Sequence, residues 1–346
     1  MQTTSQDEKV AFLRHPGAFP DAPESVDVIE THFAWVFLSR LYVYKLKKPI
    51  KFHGFDFTTL EGRRENCELE IALNRRLAEP VYIGVVPLGR RGTTLLLDAD
   101  ATPVDWLVKM HRLPSDRTLE HVALHGKVVE AELSALIEKL ARFYAATTRT
   151  SWDGVTYRQV LARRLERYAA ELAAADIPFD RDRLGRIVAT AQRFLRDHAA
   201  LLETRINGGR IVDAHGDLRP EHIFLGPEPQ IIDCLEFSAE LRLLDSLEEI
   251  SFLALECERL GRAELGRHLE ALYRERCRDD TPSELASFYR GQRAIVRAML
   301  CAWHLHDGLP DVVEDHWRES ARWYLESAAA AIGVAANPGR SAAIAR

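Results

Sequence analysis

The order of apolar and polar positions divides the chain into a β-patterned first third and a helix-patterned remainder. A short helix is expected near Glu8–Leu13, followed by a turn region marked by Pro16, Pro20 and Pro23. From Val26 to Lys47 the chain is rich in Val, Ile, Phe, Tyr and Trp, side chains that suit a pleated, half-buried surface, and Ser39-Arg40 reads as a turn within it. Thr58 to Leu77 reads as a helix capped by Thr59, with Leu69, Leu73 and Leu77 recurring every four residues. The stretches VYIGVVPL and TTLLLDA read as strands joined by a turn at Gly89-Arg90-Arg91-Gly92, and VDWLVKMHRLP as a strand ending at Pro114.

After Pro114 the period lengthens. Residues 118–150 hold at least one helix, with Leu133, Leu136, Ile137, Leu140 and Phe143 on one face. Two more helices are expected over 156–176 and 182–204. β segments interrupt at Arg210–Leu225 and Gln230–Phe237, and the chain from Leu244 to Ile332 is mostly helical. The pattern predicts an α+β chain with a β-rich lobe over 1–115 that carries one helix. A helix-rich lobe with a small β insert follows over 116–335, and 336–346 reads as a disordered tail.

Composition matters for what it excludes. A net charge of −6 argues against a general nucleic-acid binder, which carries a basic excess. No run of 18 apolar residues suggests a membrane span, and the N-terminus lacks the apolar stretch of a signal peptide. The five cysteines are scattered and form no CxxC pair, which speaks against a zinc ribbon or a disulfide framework and for a reducing cytoplasm. Trp303, Trp317 and Trp323 are read as helical core, and His304 as an ordinary helix residue.

Candidate chemistry concentrates in Ile211–Phe237, IVDAHGDLRPEHIFLGPEPQIIDCLEF, where His215-Gly216-Asp217 is followed 16 residues after Asp217 by Asp233 at the end of Ile-Ile-Asp. Phosphoryl transfer needs one carboxylate to orient the attacking hydroxyl and take its proton, and oxygen ligands to hold Mg²⁺ against phosphates. Two aspartates at the ends of neighbouring strands meet both needs, with Asp217 as base and Asp233 as metal ligand.

HGDLRPEHI resembles the HGDxxxxN catalytic loop of aminoglycoside and choline kinases and parallels the HRDLxxxN loop of protein kinases. IIDCLEF resembles their metal-binding segment, and Leu241–Asp245 the Asp-containing helix start that braces the loop. VYKLKKP and ENCELEIALNRRLAEPVYIGVVPL resemble the lysine strand and the helix and strand that follow it. The resemblance spans roughly residues 25–260. It is closest to bacterial kinase-like domains often followed by a P-loop ATPase domain. No GxxxxGK[ST] motif occurs, so that second domain is expected to be absent, with a separate ATPase-domain partner left open.

The resemblance implies a bilobal protein-kinase-like fold that binds ATP, with GTP as an alternative, and Mg²⁺, with Mn²⁺ as an alternative. It implies that Lys45 contacts phosphates and that Glu70, rather than Glu68, pairs with it. Lys47 lies on the same strand face as Lys45 and is the second candidate lysine. The strand ending in Lys109-Met110-His111-Arg112-Leu113 would supply the hinge whose backbone meets adenine. His215 and Asp245 are expected to be structural.

Three departures stand out. His222 occupies the position of the family's Asn, and imidazole nitrogen suits Mg²⁺ less well than oxygen. The first β turn, Glu30-Thr31-His32-Phe33-Ala34-Trp35, has no glycine, so phosphates there would rely on backbone N–H groups and Thr31. Cys234-Leu235-Glu236 replaces the usual Phe-Gly, which makes Glu236 either a carboxylate near the metal, an amine contact or an exposed strand end. The leading expectation is a cytoplasmic, ATP-dependent phosphotransferase acting on a hydroxyl of a small molecule. A pseudokinase-like binding module is the alternative, and a metal-dependent hydrolase using His215, Asp217, His222 and Asp233 the third.

Overall fold

The computed structural model describes residues 4–52, 55–98, 100–175, 179–305 and 311–335; the expected tail lies outside these. In chain order the elements begin with α1 (Gln6–Leu13), β1 (Asp27–Glu30), β2 (Ala34–Leu38), β3 (Tyr42–Lys47), β4 (Lys51–Phe52), β5 (Phe55–Asp56), α2 (Leu60–Ala78), β6 (Tyr82–Arg91), β7 (Thr94–Leu96) and β8 (Thr102–His111). They continue with α3 (Leu119–His125), α4 (Glu130–Ala146), α5 (Gly154–Ala174), α6 (Arg181–Asp197), α7 (Ala199–Asn207), β9 (Ile211–Asp213), β10 (Ile223–Phe224) and β11 (Gln230–Ile231). The last are α8 (Ala239–Arg242), β12 (Leu243–Asp245), α9 (Ser246–Arg259), α10 (Ala263–Cys277), α11 (Ser283–His304) and α12 (Asp311–Ile332).

The chain divides into two compact units, residues 1–139 with 220–241, and residues 140–219 with 242–346. In the first, six strands form an antiparallel sheet in the order β1-β2-β3-β8-β6-β7. Strand alternation sends Phe37, Tyr44, Leu46, Leu88 and Leu107 to one face, where they pack with Val10 and Leu13 of α1. Val108 and Met110 point to the other face and meet Cys67, Ile71 and Ala78 of α2. Thr59 caps α2 by accepting from the Gly62 N–H.

Two expectations about this unit fail for physical reasons. Leu69 is exposed: the face α2 buries is partly polar, with Arg63, Asn66, Glu70 and Asn74 beside Leu73 and Leu77. The turn between β6 and β7 falls at Gly92-Thr93, not across Gly89–Gly92. Gly92 supplies the positive φ of that turn, whereas Gly89 lies in the strand, where a Cβ would come within 2.4 Å of the Ala101 side chain.

In the second unit α9 is buried from Ser246 to Cys257 and packs against α10 and α11. The single helix expected over 182–204 is two, α6 and α7, broken at His198. The aspartate-bearing strands are not neighbours: β9 pairs with β12, and β11 pairs with β10. Asp217 belongs to one compact unit and Asp233 to the other. No helix among the described residues is long and apolar enough to cross a membrane, and no disulfide forms.

Candidate active site

In the first unit the alternation of β3 places Lys45 and Lys47 on the face covered by α2, opposite Glu70. Lys45 Nζ lies 3.0 Å from Glu70 Oε1 and 2.8 Å from Asp233 Oδ1. Lys47 is fully buried and pairs with the other oxygen of Glu70 and with Glu236. Glu70 is thus shared by both lysines, and Glu236 is buried rather than an exposed strand end. Glu68 points outward and pairs with Arg64.

Burial opposes charge throughout this cluster, yet mutual pairing wins. Both lysines are held above the ordinary lysine value by the surrounding carboxylates, and Lys45 and Lys47 hold Glu70 below the ordinary glutamate value. Partial burial also opposes ionisation of Asp233, and Lys45, His222 and Lys47 overcome it, keeping that carboxyl well below the usual range.

Asp233 has φ +61°, a left-handed conformation that costs a non-glycine residue and is retained only where surroundings enforce it. Two groups absent from the sequence reading do so. The Asp233 N–H donates to the Tyr82 hydroxyl at 3.2 Å, and the next N–H, of Cys234, donates to Asn74 Oδ1 at 2.8 Å. The Asp233 side chain remains 45% exposed, and His222 Nε2 lies 3.6 Å from its Oδ2.

No group of three or more His, Cys, Asp or Glu side chains suited to a metal occurs among the described residues. The half-exposed carboxylate with one imidazole beside it instead fits a cation that arrives with phosphate oxygens as its other ligands, the way Mg²⁺ commonly binds. The other two residues expected near nucleotide are placed as follows. The Thr31 hydroxyl donates to the Ala34 carbonyl and accepts from the Ala34 N–H, both at 3.0 Å, closing the β1–β2 turn. Met110 is buried in the α2-facing apolar layer, its backbone flanked by Val43 and Tyr82.

In the second unit β9 delivers His215-Gly216-Asp217. Gly216 has φ +88°, and the buried His215 accepts at Nδ1 from the Asp217 N–H, at 3.3 Å. The loop is held from two helices. Glu249 of α9 accepts from the His215 N–H at 3.2 Å and the Gly216 N–H at 2.6 Å, and also from the Tyr144 hydroxyl at 2.8 Å. Arg293 of α11 donates to the Gly216 carbonyl at 2.8 Å. Asp245 caps α9 and takes a two-pronged contact from Arg205, at 2.6 and 2.7 Å, with Tyr289 donating to it at 3.0 Å. Glu249 and Arg293 were not singled out from sequence; the available signal was Glu248-Glu249 inside an otherwise apolar helix.

These features define a fold class. The chain has the protein-kinase-like fold found in choline kinases and aminoglycoside phosphotransferases. It matches the choline kinase LicA from Streptococcus pneumoniae at TM-score 0.53 and 14% identity, over 93% of this chain and 100% of that one. It matches LicA in complex with AMP at TM-score 0.53 and 12% identity, over 94% and 99%. A thermostable mutant of aminoglycoside phosphotransferase APH(4)-Ia, in ternary complex with AMP-PNP and hygromycin B, matches at TM-score 0.52 and 12% identity, over 90% and 94%.

At the level of sequence the chain is similar to uncharacterized proteins of Mycobacterium tuberculosis and Mycobacterium bovis. Each is 36% identical over 320 residues, covering 91% of this chain and 63% of theirs. The chain therefore spans less than two thirds of the length of the curated relatives it matches. No protein-family model matches it.

Proposed function

We propose that this protein is an ATP-dependent phosphotransferase that transfers the γ-phosphoryl group to a hydroxyl of a small molecule. The observation that carries the reading is the triad Glu70–Lys45–Asp233, with Asp233 held in a left-handed backbone conformation by Tyr82 and Asn74. Lys45 meets the nucleotide phosphates, and Glu70 fixes its position. Asp233, with His222 beside it, holds a divalent cation, which when bound neutralises phosphate charge. Asp217 orients the acceptor hydroxyl and takes its proton as the new O–P bond forms and the bond from the γ-phosphorus to ADP breaks. The AMP and AMP-PNP in the structural neighbours support a nucleotide as the donor. The cytoplasm is the proposed location.

A second reading is a kinase-fold binding module without turnover. It is favoured by His222 at the second metal position and by the Thr31 hydroxyl being used within its own turn. Calorimetric titration of ATP with Mg²⁺, with Mn²⁺ and with neither separates the readings when paired with a turnover assay. Metal-dependent binding that Asp233→Asn removes, with ADP formed in the presence of acceptor, is the expected result. Binding without turnover under any condition leaves the second reading, and no nucleotide binding overturns both.

A further inference from the structure

The two lysines of β3 differ in what they can reach. Lys45 and Lys47 stand two residues apart on one face of the strand, about 7 Å along it. The Lys45 side chain is 14% exposed and touches the half-exposed Asp233, whereas that of Lys47 has no exposure at all. A lysine that meets an arriving phosphate needs a route to it, and of the two only Lys45 has one. Lys47 is enclosed by Glu70 and Glu236, both of them buried.

The pairing forms an alternating row. Asp233 meets Lys45, and Lys45 meets Glu70 Oε1. The other oxygen of Glu70 meets Lys47, and Lys47 meets Glu236, three residues on from Asp233. Glu70 and the Asp233 segment are therefore tied twice, through Lys45 at the exposed end and through Lys47 at the buried end. The two ties fare differently when a nucleotide arrives. Lys45 exchanges Asp233 for phosphate oxygens, and a divalent cation takes its place on Asp233. Lys47 has nothing to exchange, because its buried charge depends on the carboxylates at either side. Removing Lys47 would strip a cation from Glu236 and from the second oxygen of Glu70, and Lys45 is the lysine already in contact with Glu70. Burial opposes the charge of Lys45, and Asp233, Glu70 and Glu236 sustain it, so Glu236 already acts on this lysine through space.

We propose that Lys47 and Glu236 are a positioning pair: Lys47 meets no phosphate and instead neutralises the two buried carboxylates that would otherwise draw Lys45 away from the nucleotide. The inference rests on the phosphotransferase reading and deepens it, dividing the two candidate lysines between phosphate contact and support. It also gives Glu236 its place, as the counter-charge of Lys47 rather than a carboxylate near the metal or an amine contact. Each member needs the other. Lys47 without Glu236 competes with Lys45 for Glu70, and Glu236 without Lys47 competes with the phosphates for Lys45.

The test is calorimetric titration of ATP with Mg²⁺ into the full chain, at mildly alkaline pH so that a stranded carboxylate keeps its charge. Wild type is compared with Lys45→Met and Lys47→Met, each with and without Glu236→Met. Replacing both members of a buried pair by apolar side chains of similar length is often tolerated, while stranding one is not. Lys47→Met is expected to weaken ATP binding by about tenfold or more, the worth of one charge-assisted hydrogen bond. Adding Glu236→Met to Lys47→Met restores most of that loss, and adding it to Lys45→Met restores none. A pair serving the fold alone would lower the melting temperature and leave the ATP affinity of the folded protein unmoved, which overturns the proposal. So does a Lys47→Met, Glu236→Met double variant that binds ATP as weakly as Lys45→Met, since Lys47 would then itself meet phosphate. If Lys47→Met alone does not fold, the double variant decides by the same comparison with Lys45→Met, and failure of the double variant to fold overturns the proposal too. Wild-type protein that binds no ATP removes the phosphotransferase reading itself, whereas wild-type binding with no rescue removes only this inference.

Discussion

The two charged clusters of this protein are built from similar parts and differ in how far they are closed to water. In the first unit, two lysines face three carboxylates, Glu70, Glu236 and Asp233, and are buried deeply enough that every cation has a partner. In the second, three arginines converge on Glu256, and one of them, Arg219, also lies 4.0 Å from Asp217. In the first cluster the half-exposed Asp233 is the carboxylate proposed to take a divalent cation carried by phosphates. The second cluster borders a cavity of about 190 Å³. One is closed around its lysines, and the other keeps its arginines in contact with water.

The comparison is broken most severely by exchanging function between the units. Asp217→Asn should lower kcat by roughly 10²–10⁴-fold, the usual worth of a general base, while ATP affinity stays unchanged. Lys45→Met should show the reverse balance, with ATP affinity falling first. Equal loss of ATP affinity in both variants would show that the division of labour is wrong.

Removing the central carboxylate of each cluster sharpens the contrast. Glu70→Gln leaves two buried lysines short of a counter-charge and should cost about 3–5 kcal/mol in a urea unfolding titration. Glu256→Gln should cost less, about 1–3 kcal/mol, because its arginines keep contact with water, with 12–25% of their side chains exposed. Added sulfate should recover stability in Glu256→Gln and leave Glu70→Gln unchanged. Rescue of both, or of neither, removes the distinction between a closed cluster and an open one.

Individual buried carboxylates differ in the direction of their pH response. Burial raises Glu248 of α9 to about 7 from 4.5, with Arg293 and Arg164 acting against the rise. The folded state therefore holds a proton that the unfolded state releases between those values. The stabilisation is complete below about pH 4.5 and is lost as pH rises toward 7. Asp233 and Glu70 are shifted downward, so their contribution is present above the ordinary carboxylate range and is lost as pH falls through it. Glu248→Gln should flatten the loss between pH 4.5 and 7 in thermal melts and leave the acid limb in place; an unchanged slope would remove Glu248 as its source.

The smallest effect is expected at Tyr82. Tyr82→Phe deletes the acceptor for the Asp233 N–H and should cost about 1 kcal/mol. The variant should raise the concentration of Mg²⁺ needed for ATP binding more than it lowers stability. A change in stability alone would assign Tyr82 to packing.

What the sequence revealed and what it hid follow from how each residue is buried. Strand parity alone put Lys45 and Lys47 on one face, and the cap at Thr59 needed only the local pattern. The outward placement of Leu69 was not legible, because a period of apolar residues points the wrong way when a helix buries arginine, asparagine and glutamate. Gly89 and Gly92 look alike in sequence, yet one answers to a turn and the other to the nearness of Ala101. Trp317 reads as helical core and His304 as an ordinary helix residue, yet together they line a cavity, since only the crossing of α11 and α12 brings them together. Arg219 sat in plain view inside the loop motif, but its meaning depends on Arg259 and Arg297, 40 or more positions away in sequence.

Helix α9 serves as a ruler. Its first turn carries Glu249, which fixes the amides of the loop bearing Asp217, and seven positions later it carries Glu256, on which the arginines converge. A helix rises 1.5 Å per residue, so these anchors stand about 10 Å apart on one rigid rod. The loop that carries Asp217 and the point where the arginines converge are therefore spaced by the backbone of one helix rather than by loops. A kink or a shortened turn between them would shift both anchors at once.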